Sequence, residues 1–204
     1  MSGPLIANTG ISGTGSNITP AVDTTGATLL IASVHAGAAV PLTDSKANVW
    51  VGCTARGAAA PYVQLFYVLT PIVGTGHTFT SPSAYNPAIS VLAFQLTTPA
   101  IDINTGANAT SPGSATPAHP DEVLIAATSS DTTGTFAVTG GFTIAQTEPY
   151  VSGVSYGGAI AYLLQTTAAA ANPTWSGPAG NASAIASFTG APAAASTAGL
   201  LPIL

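Results

Sequence analysis

Leu29-Leu30-Ile31-Ala32-Ser33 returns in the second half of the chain as Val123-Leu124-Ile125-Ala126-Ala127, with Leu30 matching Leu124 at an offset of 94 residues. Three further blocks repeat in the same order. Residues 62–70 answer to 156–166, with Tyr67 on Tyr162 at an offset of 95. His77 to Pro82 answers to Pro173 to Pro178, with Phe79 on Trp175 at 96. Ala88 to Phe94 answers to Ala182 to Phe188, with Phe94 on Phe188 at 94. Four blocks in one order at nearly constant offset mark an internal duplication.

Each block is a short run of Val, Ile, Leu, Phe and Tyr bounded by clusters of Gly, Pro, Ser, Thr and Asn, the pattern of strands separated by turns. Apolar residues do not recur at helical spacing over any long window. The Ala-rich stretch from Thr166 to Asn172 ends at Pro173 and reads as a loop. Each half then supplies four main strands, the second lying near Val49 to Thr54 in one copy and Phe142 to Thr147 in the other. A lone four-stranded set leaves one hydrophobic face uncovered, so the two copies are expected to share a core. The predicted fold is all-β: a jelly-roll-like β-sandwich of about eight main strands built from two internally repeated halves. Within it each copy would contribute strands to both sheets; two separate small sandwiches are the other arrangement.

The organisation follows from the repeat. Residues 1–24 form an N-terminal arm or edge strand, and 25–190 the duplicated sandwich, with copies at about 25–96 and 121–190. The Pro- and Thr-rich stretch 97–120 is the crossover between copies, and 191–204 is a C-terminal tail.

Of the 204 residues, 47% are hydrophobic and only 4% charged, against roughly a quarter charged in an ordinary soluble domain. The surface must therefore be Thr, Ser, Asn, Gly, Ala and Pro, which suits a protein in contact with copies of itself or with a larger assembly. With a net charge of −5 and only Lys46 and Arg56 as cations, nucleic acid is not an expected partner. No apolar stretch approaches the ~18 residues of a membrane helix, so no membrane insertion is expected. The first residues have neither a basic region nor a long apolar run and do not read as an export signal. Cys53, the single cysteine, can form neither an internal disulfide nor a zinc site and reads as a buried small hydrophobe.

Residues with catalytic chemistry are few and scattered. His35, His77 and His119 fall in three segments without ligand spacing and read as surface or turn residues. No Gly-x-Ser-x-Gly elbow is present. Asp121 and Glu122 are adjacent, so on a strand they point to opposite faces, and they read as a polar lead-in to Val123. Asp44 and Asp131 read as turn formers. Gly13-Thr14-Gly15-Ser16 and Gly157-Gly158 have no strand-to-helix context of a phosphate loop. No catalytic residue, metal or cofactor is predicted, and the chain is expected not to be an enzyme.

Two groups of residues point instead to contacts. Exposed aromatic rings can stack on sugars, and among Trp50, Tyr62, Tyr67, Tyr85, Tyr150, Tyr156, Tyr162 and Trp175 the Pro-flanked loop residues Tyr85 and Tyr150 are the candidates for ligand or partner contact. Tyr67, Tyr162, Phe79 and Trp175 recur at matching repeat positions, as core or sheet-edge residues would. In the tail, Leu200, Leu201, Ile203 and Leu204 form an adhesive patch, a candidate docking peptide for a neighbouring subunit.

The order of features resembles one known group of proteins. An apolar run (Leu29 to Val34) is followed by a Thr-Asp-Ser turn and a Val-Trp-Val strand (Leu42 to Val51), an aromatic-Tyr strand (Gln64 to Leu69) and a Val-Leu-Ala-Phe strand (Val91 to Phe94). This is similar to the Ala/Gly/Thr-rich β-sandwich modules of tailed-bacteriophage virions and related bacterial surface proteins. The resemblance implies a structural place in a particle, as capsid decoration, head fibre or tail component. It implies a homo-oligomer, such as a trimer, docked on a capsid or tail protein, made in the host cytoplasm and resident in the virion. The alternative is a carbohydrate- or receptor-binding module of a fibre or cell surface, with glycans as partners.

Overall fold

The structure is a computed structural model that describes residues 4–12, 17–53, 60–82, 84–179 and 181–190. All of its regular elements are strands: β1 (Leu5–Ile11), β2 (Leu29–Ala36), β3 (Thr43–Asp44), β4 (Val51–Gly52), β5 (Tyr62–Leu69), β6 (Phe79–Thr80), β7 (Ala88–Phe94), β8 (Ile101–Ala107), β9 (Glu122–Ser130), β10 (Ala137–Val138), β11 (Thr143–Glu148), β12 (Gly157–Gln165), β13 (Trp175–Ser176) and β14 (Ala182–Phe188). Two antiparallel five-stranded sheets form a β-sandwich, in the orders β1-β7-β2-β5-β4 and β8-β14-β9-β12-β11. Two-stranded pairs, β3-β6 and β10-β13, accompany them.

The two orders are one order written twice: adding seven to each strand number of the first sheet gives the second. Each copy therefore builds a whole sheet, and the sandwich is the contact between copies. This differs from the expected exchange of strands between sheets. Pairing within a copy joins strands that lie closer in the chain, while the shared core forms from faces rather than from edges.

The repeat also runs further than the four sequence blocks. Strand β8 lies inside the stretch read as a crossover and takes the same edge place beside β14 that β1 takes beside β7. Leu5 pairs with Phe94 and Ile101 with Phe188, each next to a register shift. A fifth block carries the match, Asn8-Thr9-Gly10 against Asn104-Thr105-Gly106, at an offset of 96.

Alternation along the strands separates three layers of core. Leu29 and Ile31 of β2 face the second sheet, where they meet Val123, Ile125 and Ala127 of β9. Leu30, Ala32, Val34 and Ala36 face outward and are covered by Val40, Leu42 and Phe79. The outer face of the second sheet is covered in the same way by Phe136, Phe142 and Trp175. Because both faces are covered, all eight residues of β2 and all nine of β9 are buried. That is why these strands read as continuous apolar runs rather than alternating ones.

The interface between the sheets is reciprocal. Tyr67 of the first copy meets Phe188 of the second edge-on, with centroids 5.4 Å apart. Tyr162 of the second copy meets Phe94 of the first at 5.7 Å. Residue i on one copy touches j on the other and j touches i, the signature of an isologous two-fold contact. Here it occurs within one chain. Cys53 is buried in this same cluster.

Candidate functional site

Toward its other end the inter-sheet layer becomes polar. Ser33 and His35 follow Leu29 and Ile31 on the same face of β2, and both are fully buried. His35 Nε2 lies 3.0 Å from Ser33 Oγ. A Cβ on Gly158 would stand 2.1 Å from His35 Nδ1, so the imidazole occupies the space that a side chain at 158 would need. Burial lowers the His35 pKa to about 3 against its ordinary 6.5. His35 is thus a neutral core residue, in contrast to the surface or turn place expected from sequence, because Gly158 opens room for it on the opposite sheet.

His77 differs from expectation in the same way. It is fully buried and stacks on Phe79 with ring centroids 4.4 Å apart. Its Nδ1 lies 2.9 Å from Thr24 Oγ1 and its Nε2 3.2 Å from Asp44 Oδ1. A hydroxyl, an imidazole and a carboxylate in a row have the connectivity of a hydrolytic triad. Thr24, however, is fully buried, and its Oγ1 also accepts the Gly74 amide at 3.1 Å. No substrate carbonyl can reach it, and the network clamps the loops that cover the first sheet. Burial, the largest influence, pulls the His77 pKa down, and Asp44 opposes it. Asp44 is the turn former that the sequence predicts. Its Oδ1 accepts the Lys46 and Asn48 amides at 2.8 and 3.3 Å, and Oδ2 accepts the Trp50 indole at 2.7 Å. Although burial opposes it, these bonds hold the carboxyl below its ordinary pKa.

Asp121 is exposed just before β9, whereas Glu122, its first residue, is buried rather than part of a polar lead-in. Burial raises its pKa, and Asp102 of β8, on the far side of β14, adds to the rise while the Ser187 hydroxyl opposes it. Glu148 is also buried and raised by burial, with Gln146 Nε2 donating to it at 3.0 Å. Gly10 lies against it, since a Cβ there would overlap the carboxylate. His119 and Asp131 are exposed. No group of three or more His, Cys, Asp and Glu side chains able to hold a metal ion occurs among the described residues.

The aromatic candidates separate clearly. Tyr62 is buried, and Trp50 is half-buried edge-on to Phe79 at 5.9 Å. Tyr85 is 59% exposed. Tyr150 is half-buried and its ring lies 6.5 Å from that of Tyr156. The two predicted contact residues come from different copies, and the fold brings their loops to one end of the sandwich. The Gly37 amide donates to the Tyr85 carbonyl at 2.9 Å, and the Tyr156 amide to the Asn86 carbonyl at 3.0 Å. Tyr156, one of the aromatic residues not singled out in sequence, packs on Gly37, where a Cβ would be 3.3 Å from the ring.

A second surface feature is an apolar edge. Strand β4 is only two residues long and ends the first sheet. Beside it Val49 is 82% exposed, Ile72 61% and Val51 46%. The Asn48 side chain pins the Ile72 backbone through two hydrogen bonds, at 3.0 and 2.7 Å, and so holds Ile72 close to Val49. Leu200, Leu201, Ile203 and Leu204, the predicted docking residues, lie outside the described residues.

No protein-family model, no curated protein and no solved structure matches this chain.

Proposed function

We propose that this chain is a non-catalytic structural module of a particle, a virion component of the bacteriophage kind, acting through self-assembly and docking on a capsid or tail protein. The observation that carries this reading is the apolar β4 edge, with Val49, Val51 and Ile72 open to solvent in a chain that has almost no charge. Proteins that remain monomeric guard a sheet edge with Lys, Pro or a covering loop, because unpaired backbone and apolar side chains invite pairing. Lys46, the one cation among the described residues, donates instead to the Thr75 carbonyl at 3.1 Å. A surface of Thr, Ser, Ala and Pro forms no charge barrier between copies.

Light scattering tests the reading. The full chain should have the mass of a trimer or another closed oligomer. Val49→Lys with Ile72→Lys, or truncation before Gly199, should reduce it to the monomer. A monomeric parent at high micromolar concentration refutes self-assembly, and an oligomer indifferent to both changes refutes the surfaces named here.

A further inference from the structure

The end of the sandwich that carries Tyr85 also carries an open depression of about 210 Å³, lined by Asn86, Tyr150, Val151, Gly153, Ser155 and Tyr156. Its floor is a tight turn in which the Val151 amide donates to the Ser155 carbonyl at 3.0 Å, with Gly153 in the left-handed region at φ +72°. Its wall is the edge-on pair of Tyr150 and Tyr156. On the facing side, Tyr85 and Asn86 are consecutive non-glycine residues in the left-handed region, at φ +67° and +51°. That conformation is uncommon and unfavourable for a bulky residue such as Tyr. The hydrogen bonds from Gly37, just after β2, and Tyr156, just before β12, hold it there, and Tyr85 is exposed to solvent. A backbone outlier kept in place by its surroundings is a recurrent mark of a ligand site.

We propose that this groove binds a neutral sugar ring, with Tyr150, Tyr156 and Tyr85 packing on its apolar C–H faces and Asn86 and Asp131 hydrogen-bonding its hydroxyls. The chemistry selects the class. Tyrosines offer flat area with a polar tip, which suits a ring that is apolar on its faces and hydroxylated at its rim. An amide can both donate to and accept from hydroxyls, and a carboxylate accepts. Among the described residues no cation lines the groove, which disfavours a phosphate or an acidic sugar. Asp131 follows Ser130, which pairs with Gly157 at the end of the ladder, so it stands beside Tyr156 at the rim of the groove. Burial first, and then that carboxylate, raise the Tyr156 pKa. The groove is independent of the β4 edge, so either reading stands without the other.

Saturation-transfer NMR tests this on the full chain, with the methyl glycosides of glucose, galactose and N-acetylglucosamine as probes and that of sialic acid as the acidic comparison. Transfer to at least one neutral glycoside is expected at millimolar affinity. Tyr85→Ala and Asp131→Asn, both at exposed positions, should each weaken that glycoside about tenfold, equivalent to 1.4 kcal/mol. Leu164→Ser, at the opposite end of β12, should leave it unchanged. Circular dichroism confirms that each variant is folded. The proposal is overturned by no transfer to any neutral glycoside, by preference for the sialoside, or by folded Tyr85→Ala and Asp131→Asn variants that bind like the parent.

Discussion

Replacing His35 should change how stability depends on pH, in a direction and size that its burial dictates. The folded chain keeps the imidazole neutral down to about pH 3, whereas the unfolded chain takes up a proton from 6.5 downward. The folded pKa is the depressed one, so the residue costs nothing above 6.5 and destabilises progressively below it. For one proton the slope is about 1.4 kcal/mol per pH unit. At pH 4.5, two units below 6.5, the loss is about 3 kcal/mol, a large share of the ~5–15 kcal/mol that holds a domain folded. His77, also depressed, adds to this acid sensitivity, while the raised Glu122 and Glu148 oppose it as they gain protons. Comparison with His35→Gln removes those shared influences and keeps an amide within reach of Ser33. Urea unfolding of both proteins between pH 7.5 and 4.5, followed by the fluorescence of Trp50 and Trp175, measures the difference. The parent should lose about 3 kcal/mol more than the variant over that range. Parallel pH dependences would show that the imidazole is hydrated or already protonated in the folded chain and would refute the reasoning.

Two further outcomes follow from the packing. A double-mutant cycle of Tyr67→Ala with Phe188→Ala should return a coupling of about 0.5–1.5 kcal/mol, as should Tyr162→Ala with Phe94→Ala, while cycles that mix the two pairs should return less; equal couplings everywhere would contradict the reciprocal interface. Gly158→Ala should destabilise by about 1–3 kcal/mol through its overlap with His35, and adding His35→Ala should recover part of that in chemical denaturation; a loss that persists in full would place its cause in the backbone.

Much of the fold was legible because the physics that forms it is local. The apolar runs at Leu29 to Val34 and at Val123 to Ala127 are strands covered on both faces, and burial on both faces is what makes a run continuous. The matched Tyr67 and Tyr162 are half-buried against the shared core because the copies meet through equivalent faces. Strand β8 escaped notice because an edge strand is half-buried, and Ile101 and Ile103 alternating with Asp102 and Asn104 resemble a polar linker. The signal that would have found it is the Asn-Thr-Gly shared with β1.

The histidines mark the limit of that legibility. Whether His35 lies in water or in the core depends on a glycine 123 positions later in the chain, and His77 depends on Thr24 and Asp44 from two other segments. The groove is a similar case: Tyr85 and Tyr150 were singled out one by one for their Pro-flanked loops, but only the docking of one copy on the other places them at one end with Tyr156 and Asn86. By itself the sequence determined the all-β class, the duplication and the central strands, because period, turn chemistry and repeat are written in neighbouring residues. Tertiary structure alone decided that each copy is one sheet, which polar groups are buried, and which loops meet, because those depend on contacts between residues far apart in the chain.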